Sequence, residues 1–250
     1  MIQYQHIKTQ RSIGMDNSMQ DKHTMIQDER FVVNNIPVRV EFDEIKDKLL
    51  LDDQDDIDLV YPNFMKAVQI AKPKAVCKVV YVEDIDDDLV TISGTTFRSA
   101  IMASNFKDAH RMFAYVATCG AEVDLWSREQ GDYFMSLWLD MIKEMILTDA
   151  MTQFADIVTG KYSIDRYSTM NPGSGDADVW PIAQQRPLFD LIGDVQKDIG
   201  VVLTDSFLMI PTKSVSGILF PSESGYVNCE VCTRKNCRGR RAPYNPAPLK

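Results

Sequence analysis

Leu203–Gly217 reads LTDSFLMIPTKSVSG, within the longer stretch VVLTDSFLMIPTKSVSGILFPSESGY of Val201–Tyr226. Short apolar and β-branched runs are broken here by Thr204-Asp205-Ser206 and by Pro211, so short strands alternating with turns are expected. Ser214–Gly217, SVSG, is compact and rich in small and hydroxyl residues. It stands directly before a cluster of three cysteines, Cys229, Cys232 and Cys237.

Working outward, the clearest helix upstream runs from Asp132 to about Val158. Phe134, Leu137, Trp138, Met141, Ile142 and Met145 recur at three- and four-residue spacing, and Ala150, Phe154 and Ile157 continue the stripe. At 1.5 Å per residue it would run about 40 Å, a central element whose aromatic and methionine stripe belongs to a core. Arg111–Cys119, RMFAYVATC, reads as a buried strand ending at Gly120. Ala75–Val82 and Leu89–Ser93 are β-branched runs about an acidic turn, as in a hairpin. A short strand is expected over Pro37–Phe42 and a helix over Tyr61–Ala71, stopped by Pro73. Residues 160–179 read as a long irregular stretch, and loops of this length in a compact domain are usually functional or disordered. WPIAQQRPLF, Trp180–Phe189, looks like a helix opened by Pro181, with a break or fresh start at Pro187. The fold class is α+β, with a mainly antiparallel sheet and one long helix.

The chain has 250 residues, 45% hydrophobic and 25% charged, as in a globular protein. No run of 18 apolar residues occurs, and the N-terminus lacks the apolar core of a secretory signal, so a cytoplasmic location is expected. A net charge of −9 argues against general nucleic-acid binding. From Cys229 to Lys250 six basic residues face one acidic, a local +5 that leaves −14 on the rest. Such a basic tail suits an acidic partner, self-association or plain solvation.

Two groups of residues carry chemistry. Arg166-Tyr167-Ser168 and Pro172-Gly173-Ser174 lie in the irregular stretch. The planar guanidinium of Arg fits a carboxylate, and Gly and Ser permit close backbone approach, a set suited to a small zwitterion. The alternative is an Arg166 paired with Asp165 or Asp176. Five cysteines, with Cys77 and Cys119 isolated, make a poor disulfide framework. Cys229-x-x-Cys232-x-x-x-x-Cys237 suits a thiolate metal site, iron–sulfur or zinc, with the remaining position filled by Cys119, an external ligand or a partner residue. Free thiols in a flexible basic tail are the alternative. His6, His23 and His110 lie away from these motifs.

The ordered motifs TCGAEVD, GDYFMSLWLD, RYS…NPG…WPIAQQRPLF and LTDSFLMIPTKSVSG resemble the reactivation (activation) domain of cobalamin-dependent methionine synthase, in its short stand-alone form. The resemblance spans about Val38–Tyr226 and ends before the cysteines. It implies a C-shaped α+β single domain with a twisted antiparallel sheet and a long central helix. It also implies S-adenosylmethionine binding by Arg166, Ser168, Pro172, Gly173 and Tyr226, and methyl transfer to a cobalamin or other corrinoid carried by a partner. That partner is a corrinoid protein or methyltransferase, with flavodoxin or ferredoxin as electron source. On this reading residues 1–36 are a flexible arm, 37–226 the domain and 227–250 a basic, cysteine-rich tail. The chain departs from the family pattern in the extra residues Thr169-Met170-Asn171, in Ser174 where an aromatic is frequent, and in lacking a clean match to the family's acidic contact, with only Glu144 and Asp149 nearby. Two functions follow: an accessory protein for methyltransferase-type reactivation, or a non-catalytic corrinoid-protein binding module with a metal tail.

Overall fold

The computed structural model describes residues 29–130, 133–176, 178–237 and 239–245, together with the backbone of Gln3–His6. In chain order the elements are strands β1 (Gln3–His6) and β2 (Arg30–Asn34), helices α1 (Phe42–Leu49) and α2 (Gln54–Ile70), and strands β3 (Lys74–Asp86), β4 (Leu89–Ile92) and β5 (Thr95–Arg98). Then come α3 (Ala100–Phe106), β6 (Arg111–Thr118), α4 (Ala121–Arg128), α5 (Tyr133–Tyr162), β7 (Tyr167–Met170), α6 (Gln185–Ile192) and α7 (Val195–Ile199). The last strands are β8 (Val202–Leu203), β9 (Met209–Ile210) and β10 (Ser214–Pro221).

The main sheet is antiparallel in the order β1-β2-β3-β6-β10-β7, with β4 and β5 extending from the far end of β3. Side chains of β6 alternate between its faces. Met112, Ala114 and Val116 enter one core, shared with Trp180, Leu188, Ile192 and Phe220 from beyond the long helix. Phe113, Tyr115 and Ala117 enter a second, closed by Ala150, Phe154 and Val158 of α5. A third core lies among α1, α2, α4 and the first half of α5, around Val60, Phe64, Val123, Leu139 and Ile142. Helix α5, 30 residues and so about 45 Å long, serves the third core with its first half and the sheet with its second. This dual contact explains a stripe longer than an ordinary amphipathic helix requires.

The α+β class, the antiparallel sheet, the β3–β4 hairpin, β6 and α5 match the sequence reading. The differences have physical causes. Helix α2 begins at Gln54, earlier than the Tyr61 expected, because Asp53 caps it, accepting from the Asp55 N–H at 2.8 Å. The acidic run thereby sits at the positive end of the helix dipole. Pro62 lies inside this helix, which is why the pattern seemed to start only there. Pro37–Phe42 is not a strand, and Phe42 instead opens α1. The strand lies earlier, at Arg30–Asn34, where Phe31, Val32 and Val33 are buried. The presumed N-terminal arm thus ends in a core strand, and residues 7–28 fall outside the described residues. Among the described residues, no helix is long and apolar enough to cross a membrane.

Ser214–Gly217 forms the first half of the interior strand β10, between β6 and β7. The Ser214 hydroxyl donates to Thr118 Oγ1 at 2.9 Å, and that of Ser216 donates to Gln185 Oε1 at 3.0 Å. A Cβ on Gly217 would lie 2.4 Å from Met170 O, 2.5 Å from Asn171 Nδ2 and 3.0 Å from Tyr115 Oη. Gly217→Ala therefore forces the strands apart and should lower stability by about 2–3 kcal/mol, read as a shifted midpoint in urea denaturation.

Candidate functional site

The stretch 160–179 is less irregular than its composition suggests. Tyr167–Met170 pairs with Pro221–Ile218 and makes β7 the edge strand of the main sheet. The residues extra to the family pattern are used here. Thr169 and Met170 lengthen the strand, and Asn171 ends it. Asn171 Nδ2 donates to Tyr115 Oη at 2.9 Å and to Ser216 O at 2.8 Å, while its Oδ1 accepts from Asn228 Nδ2 at 2.8 Å. Burial pushes the Tyr115 hydroxyl up to about 12, even though the Asn171 bond lowers it.

Arg166 lies in the bend just before β7, and Ser168 is the second residue of that strand. Arg166 is 71% exposed, and its nearest acidic neighbour is Glu223 at 3.9 Å, not the Asp165 or Asp176 that the alternative reading required. Ser168 is 4% exposed, and its Oγ has no hydrogen-bond partner. Pro172 is buried and Gly173 exposed at the turn beyond the strand, where φ of 75° favours glycine. The Gly173 N–H donates to Trp180 O at 2.8 Å. Tyr226 is 5% exposed and its hydroxyl is unpartnered. The indole Nε1 of Trp180, fully buried in the same core, is also unpartnered. Burial raises the Tyr226 pKa, and the nearby Glu230 and Cys229 add to the rise. Arg166 is thus exposed to solvent and Ser168 buried two residues further on, while Tyr226 lies in the same core as Met170 of β7. Three residues separate Ser168 from Pro172, a span of roughly 13 Å if extended.

The C-terminal segment packs directly onto this loop. Besides the Asn228–Asn171 bond, Thr233 N–H and Oγ1 both donate to Asp176 Oδ1, at 3.2 and 2.7 Å. Val231 is fully buried and lies within contact range of the position where a Gly175 side chain would begin. The three cysteines are free and half-buried. Among the described residues, no three His, Cys, Asp or Glu side chains are gathered as a single metal ion requires.

Comparison with known proteins follows these features. Residues 140–241 match the family described as vitamin B12 dependent methionine synthase, activation domain. The chain resembles that family. A solved structure titled "Crystal Structure of the MetH Reactivation Domain bound to AdoHcy" shares the fold with a TM-score of 0.54 at 15% identity, covering 79% of this chain and 80% of that one. A search of curated proteins returns no match. The activation-domain match runs through Arg241, so it includes Cys229, Cys232 and Cys237. The sequence reading, which ended the resemblance at Tyr226, is corrected on this point.

Sequence reasoning missed Asn171, Asn228 and Trp180 as parts of this region. Asn171 was counted as an extra loop residue. Its signal was its place just before Pro172, where a residue is driven out of the helical region and into extended backbone. It also missed Lys143, buried within the α5 stripe and bonded to Asp124 Oδ1 at 3.1 Å and Ser127 Oγ at 2.9 Å.

Partial burial raises the Cys229 thiol, but the Arg241 and Ala242 amides and the Arg241 charge outweigh it and lower its pKa on balance. Burial pushes Cys119 up to about 12 and raises Cys77 as well. In reduced, metal-free protein near neutral pH, iodoacetamide should label Cys229 first and leave Cys77 and Cys119 untouched until unfolding. Mass spectrometry of the peptides checks the order.

Proposed function

We propose that this protein binds S-adenosylmethionine and supports reductive remethylation of a corrinoid held by a partner protein. The observation that carries the reading is the pair of buried, unpartnered hydroxyls, Ser168 Oγ on β7 and Tyr226 Oη, with the exposed guanidinium of Arg166 two residues before Ser168 in the chain. Native structures rarely leave buried hydroxyls without partners, so a polar ligand is a natural completion. The activation-domain match over residues 140–241 supports the same reading.

The residues present fit the donor's chemistry. Arg166 offers a planar, bidentate fork to a carboxylate. Ser168 offers a buried hydroxyl on β7. Pro172 and Gly173 offer backbone at the turn to the adenosine end, and Tyr226 a hydroxyl from the core side. S-adenosylmethionine, when bound, supplies a sulfonium methyl group for a reduced cobalt centre. The chain's own part is to bind, orient and shield, so no general base is required. Electrons come from a separate carrier, flavodoxin or ferredoxin in type.

One observation favours a second reading, in which the loop does not accept the donor and the protein only binds a corrinoid protein. The Gly173 N–H is already engaged by Trp180 O, and the extra residues of β7 set Pro172 and Gly173 apart from Arg166. On this reading the basic tail is the docking element, and capture of a corrinoid protein persists without donor and fails when residues 229–250 are removed.

Calorimetric titration of S-adenosylmethionine separates the two. The wild type should bind, and Arg166→Ala should weaken binding at least tenfold through loss of charge-assisted hydrogen bonds of about 1.5–3 kcal/mol. Tyr226→Phe should also weaken binding, yet leave the ligand-free protein as stable as before, because its hydroxyl has no partner to lose. No binding by the wild type, or equal affinity in Arg166→Ala, overturns the first reading.

A further inference from the structure

The groove between α1 and the middle of α5 has a volume of about 300 Å³. That is the small end of the roughly 300–1,000 Å³ usual for ligand pockets, so its occupant is small. Val40 and Met145, each 8% exposed, give it an apolar lining. Arg39, Glu44 and Lys48 line it from α1 and the residues before it, and Asp149 lines it from α5. None of the donor-site candidates, Arg166, Ser168, Pro172, Gly173 or Tyr226, belongs to this groove.

The charged groups of the groove are left unpaired. Glu44 and Lys48 stand one helical turn apart on α1, Glu before Lys, the order that favours an ion pair. Yet among the described residues the Glu44 carboxylate, the Lys48 ammonium and the Arg39 guanidinium make no ion pair or hydrogen bond. Asp149 is held in place instead. Its Oδ2 accepts from the Arg39 backbone N–H at 2.8 Å and from Gln153 Nε2 at 3.1 Å, which leaves Oδ1 free to accept from a ligand. Gln153 is 4% exposed and also donates to Pro37 O at 2.7 Å, so the segment carrying Arg39 is pinned to α5.

Two cations and two carboxylates thus share one small groove with an apolar lining. A simple anion entering it meets Glu44 and Asp149 as like charges, and a simple cation meets Arg39 and Lys48. A zwitterion meets a partner for each of its charges. We propose that this groove binds a free α-amino acid with an apolar side chain of about leucine or methionine size. Its carboxylate pairs with Arg39 and Lys48, and its ammonium with Asp149 and Glu44. Its side chain covers Val40 and Met145 and removes their remaining apolar surface from water. The site is separate from the donor reading at Arg166 and does not depend on it.

Calorimetric titration of the full chain with L-methionine and with L-leucine, in the absence of S-adenosylmethionine, tests the site. The wild type should bind at least one of them saturably. Arg39→Ala should weaken that binding at least about tenfold through loss of charge-assisted hydrogen bonds. The Arg39 side chain has no partner to lose, so this variant should unfold at the same temperature as the wild type. Methioninol, which lacks the carboxylate, and methylthiopropionate, which lacks the ammonium, should each bind at least about tenfold more weakly than methionine. Arg166→Ala should bind the amino acid as the wild type does. No saturable binding by the wild type, or equal affinity in Arg39→Ala, overturns the site. Binding that is lost in Arg166→Ala and kept in Arg39→Ala also overturns it and assigns the amino acid to the donor site. Equal binding of methionine and either truncated analogue overturns the zwitterion as the ligand class. The donor is absent throughout, so failure of the donor reading leaves this result unaffected, and failure here leaves that reading standing.

Discussion

Gly217 has no side chain, and the Asn171 amide occupies the space this leaves. From there Asn171 bonds Tyr115 on β6, the Ser216 carbonyl on β10 and Asn228 at the start of the C-terminal segment. Three parts of the molecule that are distant in sequence meet at one carboxamide. A buried polar group that loses its partner costs about 1–3 kcal/mol, so the junction penalises any shift of β7 along β10. The register of the edge strand, and with it the positions of Arg166 and Ser168, depends on this contact.

An edge strand presents unpaired backbone groups that proteins usually cover, twist or charge. Here the exposed Arg166 precedes β7 and the exposed Tyr167 opens it, and the C-terminal segment packs beyond its end. The covering is local. Asp176 and Asn171 hold the segment at the loop, while the Arg166 end remains open, with Glu223 its nearest charge. Arg166 therefore faces solvent, while Ser168 on β7 is buried.

The fold class was legible because its largest parts carry strong local signals. The α5 stripe repeats at helical spacing, β6 is a continuous apolar run, and the acidic turn between β3 and β4 marks a hairpin. The candidate site was legible in its residue types and not in its geometry. RYSTMN reads as loop because Asn171-Pro172-Gly173 follows it closely, yet pairing with Phe220 and Leu219 makes four of these residues strand. Tertiary pairing overrode composition. The buried strand at Arg30–Asn34 was lost for a related reason, since it follows a polar stretch and precedes the Asn34-Asn35 turn. The burial of Lys143 was hidden because, besides Asp140 on its own helix, its partners Asp124 and Ser127 lie on another helix that no local pattern announces.

The cysteine segment was read as a tail because it is basic, short of apolar residues and outside the resemblance as first drawn. Each of these properties is compatible with a fixed position when the contacts are supplied from elsewhere. Val231 provides one buried apolar anchor, Thr233 and Asn228 provide polar ones, and Arg240 satisfies carbonyls that a loop of this length could not pair within itself. The matched family stretch runs through Arg241 and so spans both the segment and the loop it packs on. The segment is joined to the loop by two side-chain contacts, Asn228 to Asn171 and Thr233 to Asp176.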